Sequence, residues 1–176
     1  MKKNLSIIHV EDEFREFEPL VISVQVLVED LLDGKEGVTT ISEVKEFAKS
    51  SDLPYSWIVY NISVPEKSWS INYIFVREAS LPDEVKDIIS STNNIFILDV
   101  LRPQEGQTKL GVSLRETLDS ISPYIKERKD VVLYTAHQGN SLDGIEPFLP
   151  RKISKEADVE LDDFISKTVV EFLEDA

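Results

Sequence analysis

Glu11 and Asp12 directly follow the apolar run Ile7-Ile8-His9-Val10, Asp99 closes Ile95-Phe96-Ile97-Leu98, and Thr135 closes Val131-Val132-Leu133-Tyr134. Each run reads as a buried strand with polar residues at its carboxyl end. In an open parallel sheet those ends share one edge, where ligands bind. If all three runs lie in one sheet, Glu11, Asp12, Asp99 and Thr135 meet there. Three carboxylates held together repel, so the set asks for a cation. Hard oxygen ligands of this kind suit Mg²⁺, which takes one or two carboxylates, keeps waters and binds phosphate oxygens. Lys152, in Arg151-Lys152-Ile153, adds a positive charge at the end of a last strand. Together these groups can hold a phosphoryl group on Asp99. Mg²⁺ and Lys152 would neutralise its oxygens, and Thr135 would donate a hydrogen bond to one of them.

Each residue also has a plainer role open to it. Glu11, Asp12 and Glu13 could be the acidic first turn of a helix. Thr135 could be an ordinary strand-end hydroxyl, and Lys152 a solvated neighbour of Arg151. His9, between apolar residues, reads as structural, and His137 as a loop residue. Trp57 and Trp69, with Tyr60 and Tyr73, read as hairpin packing, or as a partner surface if exposed.

The elements that must position these residues alternate along the chain. Lys3 to Val10 is predicted as the first strand. Phe14 to Leu32 follows as a helix, with Phe17, Leu20, Val21, Val24, Leu27, Val28, Leu31 and Leu32 at three- and four-residue steps. Asp33-Gly34 closes it. Ser42 to Lys49 is expected to be a short polar helix. Trp57–Val64 and Trp69–Val76 form an expected hairpin around Pro65-Glu66-Lys67. A helix begins near Pro82-Asp83-Glu84, with Val85, Ile88 and Ile89 inside. After the Ile95–Asp99 strand, Val112 to Lys126 is expected to be helical, with Leu114, Leu118, Ile121 and Ile125 inside. Pro147–Pro150 is the expected last strand. Val159 to Leu173 closes the chain as a helix, with Val159, Leu161, Phe164, Ile165, Val169 and Phe172 on its packed face. Strands alternating with helices argue for an α/β fold with a mostly parallel sheet. The stretch 33–80 interrupts that alternation.

The chain has 176 residues, enough for one full core, so one domain spanning 1–176 is expected. It has no Cys and two His, which excludes disulfides and leaves little for a zinc site. No apolar stretch approaches a membrane span, and the short acidic-flanked first strand does not resemble a signal peptide. A cytoplasmic location is expected. A net charge of -14 repels phosphate backbones and argues against direct nucleic-acid binding.

The order of these residues resembles the receiver domain of two-component response regulators. Val10-Glu11-Asp12-Glu13 is similar to that family's acidic pair. Leu98-Asp99-Val100-Leu101-Arg102-Pro103 is similar to its phosphoacceptor segment. Leu133-Tyr134-Thr135-Ala136 is similar to its hydroxyl-Ala pair, and Arg151-Lys152-Ile153 to its Lys segment. The resemblance covers roughly residues 3–32 and 81–174. It implies a flavodoxin-like, doubly wound parallel sheet of about five strands in the order 2-1-3-4-5. It also implies Mg²⁺ held by Glu11, Asp12, Asp99 and the Leu101 backbone carbonyl, and phosphorylation of Asp99 by a histidine kinase or phosphotransfer protein. The chain departs from the family at Ile153, where Pro is usual, and at Leu149, where the family carries an aromatic switch. The stretch from Asp12 to Asp99 is also roughly twice the usual length, with residues 33–80 as an inserted β-hairpin and short helix, or an expanded second-strand region.

Three readings of function follow. The first is a single-domain phosphoacceptor, not an enzyme in the ordinary sense, that switches a protein-binding surface. It ends after its last helix with no output domain expected. The second is a receiver-like interaction module that no longer switches and uses 33–80 to bind a protein or a second copy of itself, as a homodimer. The third is a Mg²⁺-dependent phosphatase with Asp99 as nucleophile. It lacks an acid two residues after Asp99, where Leu101 stands.

Overall fold

The computed structural model describes residues 2–11, 26, 30, 40–46, 55–64, 67–99, 111–135, 152–154 and 158–174. Its strands are β1 (Lys2–Val10), β2 (Thr40–Glu46), β3 (Tyr55–Val64), β4 (Lys67–Val76), β5 (Asn93–Leu98), β6 (Val131–Thr135) and β7 (Lys152–Ser154). Its helices are α1 (Asp83–Ile89), α2 (Gly111–Ile121) and α3 (Asp158–Glu174). No described helix is long and apolar enough to cross a membrane.

All seven strands form one sheet in the order β2-β3-β4-β1-β5-β6-β7. β4, β1, β5, β6 and β7 run parallel to one another. Numbered along the chain, those five parallel strands have the order 2-1-3-4-5, the flavodoxin-like arrangement. β2 and β3 extend the sheet beyond β4 as antiparallel strands. The expected hairpin is therefore present as β3 and β4, and its second arm is also the second parallel strand.

Both faces of the parallel sheet are covered, which explains why its strands are apolar runs rather than alternating ones. α3 packs Leu161, Ile165, Val169 and Phe172 on Leu5, Ile7, Tyr73, Phe75, Ile97 and Tyr134. α1 and α2 pack Val85, Ile89, Leu114 and Ile121 on Ile8, Val10, Ile74, Phe96, Leu98 and Leu133. Residues next to each other along β1 thus serve opposite cores, as the two-residue strand period requires.

Several expectations are corrected. The short helix expected over Ser42–Lys49 is strand β2, from Thr40 to Glu46, paired along its whole length with β3. α2 ends at Ile121 and passes into a 3₁₀ turn over Ser122–Tyr124, because Pro123 has no N–H to continue the helix. The last strand is described at Lys152–Ser154; Pro147–Pro150 lies outside the described residues. Val159 is 73% exposed at the start of α3, not on its packed face. Of the expected Phe14–Leu32 helix, Val26 and Asp30 are described; both are helical and exposed, and neither belongs to the apolar stripe read from the sequence.

The amino end of the sheet is pinned by a buried polar layer. Ser6 Oγ lies 2.9 Å from Thr92 Oγ1 and accepts a 3.2 Å hydrogen bond from Asn72 Nδ2. Asn94 Oδ1 accepts from the Thr92 hydroxyl, and Asn94 Nδ2 donates to the carbonyls of Ile89 (3.0 Å) and Tyr124 (3.4 Å). One amide therefore ties β5 to the end of α1 and to the turn after α2. Replacing Asn94→Ala strands these partners in a buried site. We expect a loss of about 1–3 kcal/mol, measured as a lowered urea midpoint at unchanged m value.

Candidate functional site

The carboxyl end of the sheet has a different chemistry. β1 and β5 pair in register, with Val10 level with Leu98, so the next residues, Glu11 and Asp99, are also level. Backbone bonds extend past the strand ends on both sides of β1. Glu11 N–H donates to Val76 O at 2.9 Å, and Asp99 N–H donates to Val10 O at 2.9 Å. Neighbouring strands lie roughly 5 Å apart, which sets the backbone spacing of the two acids. Glu11 is fully buried and Asp99 is 7% exposed. Two carboxylate charges at that spacing would repel by about 3 kcal/mol at an effective dielectric constant of about 20. Such a pair fits a small hard cation, which needs one or two carboxylates and completes its shell with water or phosphate. Among the described residues, no three His, Cys, Asp or Glu form a metal-ligating group. Asp12 and Leu101, the other two expected ligands, lie outside the described residues.

Thr135 is buried at the end of β6. Leu133 is level with Leu98, so Thr135 stands one residue beyond the level of Asp99 on the adjacent strand. Thr135 is itself level with Ser154 of β7. Ser154 is a second hydroxyl residue at this edge that the sequence reading missed; its only signal was the position two residues after Lys152.

Lys152 is level with Leu133, one step before the level of Asp99 and two strands away from it. It is exposed. Ile153 beside it is fully buried in the α3-side core. Ile153 therefore anchors the edge strand by packing. His137 and Leu149 lie outside the described residues.

Beneath the acids, His9 is fully buried. Its ring meets Phe75 edge-on at 5.8 Å and lies 6.4 Å from the Tyr134 ring. Its Nδ1 is 3.4 Å from the Tyr73 hydroxyl. His9 thus fills the layer that supports Glu11, one residue past the end of β1. On the helical face lies an open groove of about 760 Å³ lined by Lys86, Arg115, Glu116 and Asp119, among others. Its mixed charges and lack of any strand-end residue set it apart from this edge. Lys86 there is already bonded to Asp83 at 2.9 Å in an exposed pair.

The level, buried acids predict a divalent-cation effect on stability. Mg²⁺ at about a hundred times its Kd is expected to stabilise the fold by about 2.7 kcal/mol, read as a raised thermal midpoint. Asp99→Asn is expected to abolish most of that increment, and Lys152→Ala to leave it.

No protein-family model and no curated protein matches this chain. Among solved structures, it is similar to a response regulator receiver domain protein (CheY-like) from Methanospirillum hungatei JF-1. The identity is 13% and the TM-score 0.42, over 96% of this chain and 94% of the other.

Proposed function

We propose that this chain is a phosphoacceptor receiver in which Asp99 takes a phosphoryl group from a phosphohistidine of a kinase or phosphotransfer protein. The observation that carries this reading is the pair of buried acids, Glu11 and Asp99, level with each other at the carboxyl end of a 2-1-3-4-5 sheet. A carboxylate oxygen of Asp99 forms the new O–P bond as the P–N bond to the donor imidazole breaks, and the imidazole leaves with a proton. Glu11 and Asp99 would hold Mg²⁺, with Asp12 and the Leu101 carbonyl as the further ligands; bound there, the ion neutralises the phosphoryl oxygens. Thr135 would donate its hydroxyl to a phosphoryl oxygen and move toward it. The added charge of roughly -1.5 to -2 would then remodel the neighbouring face for a downstream protein partner. The net charge of -14 disfavours nucleic acid as that partner. A cytoplasmic location belongs to the same reading.

A second reading keeps the fold and drops the chemistry. The exposure of Lys152 and the burial of Ile153 favour an interaction module that binds its partner without phosphorylation. One experiment separates the two. Incubation with acetyl phosphate and Mg²⁺ is expected to add a single phosphoryl group to the wild-type intact mass, labile to hydroxylamine, and none to Asp99→Asn. An unmodified wild-type mass under these conditions would support the second reading.

A further inference from the structure

We propose that the outer edge of β2 pairs with the same edge of a second copy of this chain, antiparallel about a two-fold axis at Val44. Among the described residues, β2 is bonded on one side only, to β3, and forms that end of the sheet. The two ends of the sheet differ. β7 is three residues long, whereas β2 is seven. A short strand blunts an edge, while a seven-residue edge presents a row of N–H and C=O groups to another strand.

The order of charges in β2 selects the occupant. A strand pairing antiparallel with its own copy about a two-fold axis must centre on one residue, which then faces itself. Centred on Glu43, the pairing opposes two acids; centred on Lys45, it opposes two bases. Like charges directly opposite are unfavourable. Centred on Ser42, it forms no acid–base pair within the strand. Centred on Val44, it sets an apolar residue against itself, Glu43 opposite Lys45 twice, and Ser42 opposite Glu46 twice. That register alone places an acid against a base on both sides of the axis with no like charges opposed. A chain of net charge -14 repels its copies in general, so association needs a locally complementary strip of this kind. The pairing would make one continuous sheet across both copies, and it does not depend on phosphorylation of Asp99.

Sedimentation equilibrium on the full chain tests this. The wild type is expected to form a dimer. Lys45→Glu or Glu43→Lys alone opposes like charges twice and is expected to weaken association at least about tenfold. The double exchange E43K/K45E is expected to restore it to within a few-fold of wild type. Circular dichroism checks that each variant is folded. Asp99→Asn is expected to associate as the wild type does, so failure of the phosphoacceptor reading leaves this result intact. A wild type that stays monomeric, or single and double exchanges that associate equally, would overturn the proposal.

Discussion

The hydrogen bond from Asp99 N–H to Val10 O holds the geometry on which the rest depends. It extends the β1–β5 ladder one residue past the strands and sets Asp99 beside Glu11. Because side chains alternate along a strand, a slip of one residue would turn Asp99 to the other side of the sheet. The slip is opposed along β5, where Ile95 to Leu98 are buried alternately in two separate cores. Exchanging Ile95 and Ile97 with Phe96 and Leu98 would misfit both. The placement of the two acids is thus a consequence of core packing several residues away.

The sheet treats its two ends unequally. At the amino end, Ser6, Asn72, Thr92 and Asn94 are buried polar groups that satisfy one another, and the backbone, with neutral hydrogen bonds. Networks of that kind fix register and add rigidity. At the carboxyl end the buried polar groups include two carboxylates, which cost far more to bury than amides or hydroxyls. Acids placed there against that cost, above a layer of His9, Tyr73, Phe75 and Tyr134, fit a site built to receive charge.

Much of this was legible from the residues. Apolar runs of four to six residues marked β1, β5 and β6, and their burial on both faces is why those runs did not alternate. The hairpin arms were marked by β-branched and aromatic residues. β2 was not legible, because Thr40-Ile41-Ser42-Glu43-Val44-Lys45-Glu46 has no clean two-residue period and carries Glu and Lys, which favour helices. Pairing with β3 overrode that preference. Sequence spacing left Lys152 open between a place at the site and a solvated one, and the structure places it in the second. That exposure follows from the register of a three-residue edge strand whose anchor is Ile153, and sequence spacing does not report register. Ser154 came to light only with the β6–β7 pairing.

In the proposed phosphoacceptor the level acids Glu11 and Asp99 hold one divalent cation at the carboxyl edge of the sheet. Paramagnetic broadening by Mn²⁺, used as a substitute for Mg²⁺, reads that site directly in an amide nuclear magnetic resonance spectrum. Substoichiometric Mn²⁺ is expected to broaden the Glu11 and Asp99 amides first, with Thr135 next and the buried amides of Ser6 and Asn94 at the opposite end of the sheet unaffected. Adding excess Mg²⁺ should restore the lost signals. Broadening that spreads over the acidic surface and spares Glu11 and Asp99 would contradict a cation held there.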